Sequence, residues 1–324
     1  MKTIGCDLGG TNLRVGVVDI QTGTVTHQKS IPTQAREGHD AVIARMFDLI
    51  NEVIRESKIP KKDFDGIGIG VPGVLNPTDG LVLFLPNLYD GWINVPLSRM
   101  VASSTGLPVY LINDVRAITL GEWKYGAGKG ANSMVCFAIG TGIGGGVVVN
   151  NRLVMGFDGT AGELGHIIIE PDGQQCGCGN HGCLEAYASG PAIAAMGIKA
   201  VIQGRTTRIG ELVDYDLNKI TPQVIADAAQ KGDLIAQEIF QYIGKLIGIA
   251  SVNVALALGP DLFVISGGVA SAGDLLLEPI RRTLQERIFV MPKDRIRVET
   301  AKLGDQAGIL GSAQWASLKG YQSR

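Results

Sequence analysis

The sequence predicts an α/β protein of two lobes built on a duplicated core. Three observations lead there. Strand-like apolar segments alternate with helix-length amphipathic ones along the chain, which is the α/β pattern. A strand–glycine turn–strand unit occurs twice, about 130 residues apart, and each copy is followed by a strand-then-helix unit. Glycine makes up 45 of 324 residues, about twice ordinary usage, with no Gly-X-Y period. Such an excess serves tight turns or close backbone approach to ligands. Two unrelated hairpins would produce the same local pattern, and a chain of this length suits two domains or one large one.

Residues 3–7 read as a strand, Gly9-Gly10-Thr11 as a turn, and Leu13 to Asp19 as the returning strand of a hairpin. Gln21-Thr22-Gly23 makes the next turn, and Thr24 to Ser30 a third strand. Val42, Ile43, Met46, Phe47, Ile50, Val53 and Ile54 recur at helical spacing and predict a helix over 39–57. Asp65 to Val71 is a short buried strand, 94–105 a helix, Pro108 to Ile112 a strand and Val115 to Tyr125 a helix. The second copy follows: strand Ser133 to Ile139, turn Gly140 to Gly146, strand Val147 to Val149. Residues 160–184 read as irregular. Thr221-Pro222 is a helix start, an N-cap threonine with proline at the first position. Helices then cover 222–230 and 233–258; strand Asp261 to Ile265, turn Gly267-Gly268, helix 273–288, strand Arg295 to Glu299 and helix 306–318 complete the chain. The expected division is a smaller lobe over 1–114, with the closing helix of about 303–324 packing back on it, and a larger lobe over 115–302.

Hydrophobic residues are 45% and charged residues 19%, which excludes a disordered chain. Lys plus Arg (29) and Asp plus Glu (31) nearly balance, so there is no electrostatic footprint for nucleic acid or an anionic membrane. The longest apolar stretch, Leu246 to Leu258, is interrupted by Ser251 and Asn253 and too short to span a bilayer. Five cysteines, with no signal peptide, argue against a disulfide framework and for a cytoplasmic protein. Cys6 and Cys136 lie in apolar runs and read as buried.

Gly140, Gly142 and Gly145 match the dinucleotide fingerprint GxGxxG, but a strand-like Val147-Val148-Val149 follows where a helix is required, and no Walker motif is present. A glycine-rich hairpin turn still offers a nest of backbone N–H groups to phosphate, and five glycines in seven positions exceed what closing a hairpin needs. Asp7, just before the first turn, can hold magnesium through its waters. His166, Cys176, Cys178 and Cys183 make a closed Cys3His set for a structural zinc, with Gly177, Gly179 and Gly182 letting the chain turn around it; His181 is a competing ligand. His27 and His39 carry no assigned role. Leu111-Ile112-Asn113-Asp114 ends a strand, where ligands collect in open α/β sheets. Asp114 is locally either a helix N-cap or a base.

Asp7-Leu8-Gly9-Gly10-Thr11-Asn12 and Gly140-Thr141-Gly142-Ile143-Gly144-Gly145-Gly146 resemble the two phosphate loops of the actin-like ATPase superfamily of sugar kinases. With Gly165-His166 and Cys176 to Glu185, the whole chain resembles the ROK family (repressors, open reading frames and kinases), nearest its bacterial-type glucokinases. The resemblance implies an actin-like ATPase (ribonuclease H-like) fold with a central cleft that closes on sugar. It implies phosphorylation of glucose by ATP and Mg2+, with Asp114 as the base. It implies that Asn113, Asp114, Glu163, His166 and Glu185 line the hexose, His166 also binding zinc. It implies ATP contacts at Asp7, Gly9, Gly10, Thr11, Asn12, Gly140, Thr141, Gly142, Gly144, Gly267 and Gly268, although Gly267-Gly268 alone reads equally as an ordinary strand-to-helix turn. Gly73, after Val71-Pro72, and Asn87, between Pro86 and Leu88, resemble residues near the sugar; Trp92 reads rather as packing. Family members usually form homodimers or higher homo-oligomers, and residues 189–258 are a candidate surface. Alternatives are a kinase for N-acetylmannosamine, fructose or allose, one using polyphosphate or ADP, or a sugar-sensing regulator, which in this family carries a helix-turn-helix domain ahead of the first strand, a place the sequence leaves no room for.

Overall fold

The computed structural model describes residues 1–85 and 91–320. The described residues fall into two compact units, one within Met1–Gly130, Arg152–Gly162 and Lys302–Arg324, the other within Ala131–Asn151 and Glu163–Ala301.

The first unit opens with β1 (Lys2–Leu8), β2 (Asn12–Asp19) and β3 (Thr24–Pro32), followed by helix α1 (His39–Ser57). Then come β4 (Phe64–Val71), β5 (Val74–Asn76), β6 (Leu81–Phe84), β7 (Ile93–Val95), helix α2 (Leu97–Thr105), β8 (Val109–Asn113) and helix α3 (Asp114–Tyr125). The main sheet has the order β3-β2-β1-β4-β8, antiparallel from β3 to β1 and parallel from β1 to β8. β1 and β4 are buried almost continuously, as central strands covered on both faces are. The edge strand β3 is polar and exposed, with Lys29 paired to Glu52 and Glu56 of α1, a common way to blunt an edge. α1 buries Val42, Ile43, Met46, Leu49, Ile50, Val53 and Ile54, a gross burial of about 10–20 kcal/mol. Trp92 is part of this core, as its packing reading expects.

The predicted helix over 94–105 is shorter than expected. Ile93–Val95 pairs with β6 as β7, Pro96 follows, and the helix begins at Leu97. β5, β6 and β7 form a separate three-stranded antiparallel sheet.

The next elements in the chain are β9 (Met134–Ile139), β10 (Ile143–Val149), the short β11 (Arg152–Leu153), α4 (Leu184–Ala188), α5 (Gly190–Ile202), α6 (Pro222–Gln230), α7 (Leu234–Leu258), β12 (Leu262–Ser266), α8 (Asp274–Arg287) and β13 (Arg297–Thr300). Within the second unit, β10-β9-β12-β13 repeats the β2-β1-β4-β8 arrangement, with one antiparallel hairpin and then two parallel neighbours. β10 starts at Ile143, so Gly144 to Gly146 are strand and the turn is only Gly140–Gly142. Pairing along β9 overrides the weak strand preference of glycine. α7 is long and apolar enough to cross a membrane, but about 67% of its most apolar window is buried inside the unit, the condition of a core helix. Gly244 and Gly248 let α8 approach, where a Cβ would meet Pro279 or Thr283.

The chain then enters α9 (Ala307–Ser317), which belongs to the first unit. The backbone of α9 lies so close to β1 and β4 that a Cβ on Gly5 would meet the Ile309 carbonyl and one on Gly68 the Ser312 carbonyl. Trp315 donates from Nε1 to the Leu111 carbonyl at 2.8 Å. α3 packs on α9, Gly121 against Ala307 and Gly311 against Ala117. That packing carries the first unit through Gly130, past the boundary at 114 that the sequence predicts, because α3 stays with the closing helix.

Candidate active site

In the first unit, parallel strands deliver three polar positions from their carboxyl ends: Asp7 from β1, Gly73 beyond β4, and Asn113-Asp114 at the end of β8. Asn113 is the N-cap of α3. Its Oδ1 accepts from the N–H groups of Val115 (3.1 Å) and Arg116 (3.3 Å), and its Nδ2 donates to the Gly73 carbonyl at 3.3 Å. Gly73 has φ +80°, and a Cβ there would meet the Phe84 carbonyl. The capping role left open at Asp114 therefore belongs to Asn113. Asp114 is the first helical residue, its Oδ1 accepting from Val115 N–H at 2.9 Å.

The carboxylate of Asp7 is largely buried, 14% exposed, with Arg14 Nη1 at 3.7 Å. Arg14 also pairs with Asp305 at 3.0 Å. Burial, and then the negative charge of Asp114, push Asp7 up to about 7, against the opposing pull of Arg14. Two carboxylates in one neighbourhood, one poorly ionised without a cation, are what a divalent metal relieves. Beside Asp7, Gly9 N–H donates to the Asn12 carbonyl at 2.9 Å, and Thr33 ties down the turn through its Oγ1 to the Gly9 carbonyl at 2.7 Å. Gly10 and Thr11 are exposed, and a Cβ on Gly10 would meet nothing.

The second unit has a glycine turn at the equivalent hairpin, one residue shorter. Gly140 N–H donates to the Gly142 carbonyl at 2.9 Å, and Thr141 is exposed. Gly190 N–H, at the start of α5, donates to the Gly140 carbonyl at 2.8 Å. Glu185, expected at the sugar, has Oε2 accepting from Ile143 N–H at 2.7 Å, and a Cβ on Gly142 would fall on that oxygen. The carboxylate thus braces the Gly140–Gly142 turn. Gly267 (φ +85°) approaches the end of β9 so closely that a Cβ would meet the Ile139 carbonyl, which sets the exposed Gly267-Gly268 beside the Gly140 turn.

His166 and the three cysteines converge. Their ligand atoms all lie within 4.8 Å of one another, with Cys176 Sγ 3.7 Å from His166 Nδ1 and Cys178 Sγ 3.8 Å from Cys183 Sγ. A tetrahedral ion with Zn–S of about 2.3 Å needs sulfur pairs about 3.8 Å apart, so the set fits zinc. Burial pushes the Cys183 thiol up to about 12 and raises Cys176, whereas the Asn180 backbone lowers Cys178. A cation in their midst would favour all three thiolates. Gly165 permits the approach of this loop to β10, since a Cβ would meet the Ile143 carbonyl. Gly179 and Gly182 have φ of +93° and +74°, whereas Gly177, expected to turn the chain as well, has no positive φ and open space around it. His181 Nδ1 sits 3.2 Å from the Gly173 carbonyl, outside the cluster. Glu185 Oε1 accepts from Cys176 Sγ at 3.7 Å, so one carboxylate joins the His166–cysteine cluster to the Gly140–Gly142 turn.

Glu163 is exposed at the head of the turn that carries His166, whose N–H donates to the Glu163 carbonyl at 3.1 Å. Asn87 lies outside the described residues. Arg14 and Asp305 were not predicted. Arg14 faces Asp7 across the hairpin register, which the short turn makes readable, but Asp305 is 291 residues further on.

A sequence profile described as "ROK family" matches residues 3–319. The chain is 36% identical to a glucokinase of Thermotoga maritima over 313 residues, 97% of this chain and 96% of that one. It is 34% identical to a glucokinase of Halalkalibacterium halodurans over 310 residues, 95% and 92% of the two chains. In structure it is similar to a ROK family glucokinase from Streptomyces griseus in complex with glucose and AMPPNP, at a TM-score of 0.82 and 32% identity over 98% of this chain and 99% of that one. The duplicated α/β core is that of the actin-like ATPases.

Proposed function

The chain belongs to the ROK family, and from that premise we infer that it is a sugar kinase transferring phosphate from ATP to glucose, giving glucose 6-phosphate. The observation that supports the reading is the pair of glycine turns, each at the hairpin of one copy of the core, with Asp7 and Asp114 at the carboxyl ends of β1 and β8, on either side of β4 in the first copy. The turns that run through Gly9, Gly10, Thr11 and Asn12 and through Gly140, Thr141, Gly142 and Gly144 suit phosphate oxygens, with Gly10, Thr11 and Thr141 exposed while the Gly9 and Gly140 N–H groups close the turns, and Gly267 and Gly268 suit the adenosine end.

Phosphoryl transfer asks for positioning and charge neutralisation more than for covalent chemistry. Asp114 accepts the proton of the 6-hydroxyl as that oxygen attacks the γ-phosphate. Its placement suits this, since Asn113 is the N-cap of α3 and Asp114, the first helical residue, gives only its Oδ1 to the Val115 N–H. Asn113, Glu163, His166, Glu185, Gly73 and Asn87 are proposed to hold the sugar. Asp7 is the proposed magnesium residue, through water; the ion would screen the triphosphate charge. His166, Cys176, Cys178 and Cys183 would hold zinc, which has no open position and so stiffens the loop and fixes the His166 tautomer. Reduced thiols and ATP both suit the cytoplasm and a place in glycolysis, and the family habit suits a homodimer or higher homo-oligomer, without nucleic acid or membrane as partner.

A coupled assay over a sugar panel, with ATP, ADP and polyphosphate as donors, tests this. Glucose with ATP should give the highest kcat/KM. Preference for N-acetylmannosamine, fructose or allose would move the substrate and keep the mechanism. Sugar binding without turnover on any donor would make the chain a regulator.

A further inference from the structure

Glu122 is a fully buried carboxylate on α3 with no part in the chemistry above. Its oxygens accept four hydrogen bonds from backbone N–H groups. Oε1 takes Leu303 N–H at 2.7 Å and Lys302 N–H at 2.9 Å; Oε2 takes Ala127 N–H at 2.9 Å and Lys302 N–H at 3.1 Å. Residues 302 and 303 are the first of the chain to return to the first unit, just after Ala301 bonds to Ile265 in the second. Burying a carboxylate is costly unless it is well satisfied, so this grip is built for a purpose.

What it grips is the entry to α9. Within two turns α9 meets the site twice. A Cβ on Gly308 would stand 2.5–2.8 Å from the carboxyl atoms of Asp7, so that carboxylate rests directly on the bare helix backbone. Gly311 lies against the Ala117 carbonyl of α3, the helix that begins with Asp114. Glu122 sits on that same α3.

We propose that Glu122 is a positioning residue for phosphoryl transfer: by holding Lys302 and Leu303 it sets the start of α9, whose Gly308 is the seat of the Asp7 carboxylate relative to Asp114. The proposal rests on the kinase reading above. It assigns Gly308 a role that no side chain can fill, since any Cβ displaces the carboxylate.

The test compares wild type, Glu122→Gln and Gly308→Ala for kcat, glucose KM, the Mg2+ concentration giving half-maximal rate, and melting temperature. In Glu122→Gln the amide NH2 faces backbone N–H groups whichever way it turns. Both variants should lose about tenfold or more in kcat and need more Mg2+, with glucose KM within about twofold of wild type, as a displacement of about an ångström does. Alanine is the better helix former but its Cβ must push the buried carboxylate aside, so Gly308→Ala is judged on kcat and Mg2+ dependence, with the melting temperature showing that it is folded at the assay temperature. A merely structural role predicts the opposite split: lower melting in Glu122→Gln with normal kcat and Mg2+ dependence, and a normal Gly308→Ala. That result overturns the proposal. Should Glu122→Gln fail to fold, Gly308→Ala decides alone. A wild type without sugar-dependent turnover would sink the kinase reading and this inference together, whereas normal variants beside an active wild type sink this inference only.

Discussion

Among single residues, Asp7 is the one whose charge is most strained. Its carboxyl is pushed up to about 7 by burial and by Asp114. A carboxyl raised in the folded state binds its proton more tightly there than in the unfolded chain, whose value is 3.8. Stability without metal therefore falls as pH rises between those two values. Asp7→Asn removes the titration, so urea unfolding in chelator should find the variant more stable than wild type at about pH 8, with the gap shrinking towards about pH 4. A gap independent of pH would mean that Asp7 is not the strained group. Activity runs the other way: below about pH 7 protonation of Asp7 competes with Mg2+, so added Mg2+ should shift the acid limb of the rate profile to lower pH.

At the scale of elements, the loop from Glu163 to Glu185 is where local sequence and tertiary structure agree most closely. Gly182 has φ +74° and its Cβ would meet the Glu170 carbonyl, while Gly177 has open space. Gly177→Ala should therefore keep its metal, and Gly182→Ala should lose it along with about 1 kcal/mol or more of stability. Metal content of the purified variants, by elemental analysis, checks this. Cys183→Ser, or stripping with a strong chelator, should raise glucose KM about 10- to 100-fold through His166 and Glu185. An unchanged KM in metal-free protein would detach the cluster from the sugar site. The cluster was legible because its ligands are close in sequence and chemically distinctive. The grip of Glu122 on residues 302 and 303, and the pairing of Arg14 with Asp305, were not, because each joins positions 180 or more residues apart through packing that no local pattern encodes. The start of β10 is hidden in the sequence for a different reason: glycine has poor strand preference, and pairing with β9 makes Gly144 to Gly146 strand. β5 to β7 escaped notice because strands of three or four residues carry too little alternation to see.

Across the whole molecule, the duplication expected from two glycine hairpins is visible as matching strand orders, each hairpin closed by a glycine N–H, Gly9 to the Asn12 carbonyl in one copy and, in a turn one residue shorter, Gly140 to the Gly142 carbonyl in the other. One copy ends its parallel strands in Asp7 and Asp114; the other carries the bracing Glu185 and the His166 cluster. The central claim is that Asp114 is the base of a glucose kinase, and glucose binding measured by calorimetry beside glucose 6-phosphate formation in Asp114→Asn tests it most directly. Glucose affinity should stay close to wild type while kcat falls by about 10²–10⁴-fold. Turnover near the wild-type rate in a variant that binds glucose normally would contradict it.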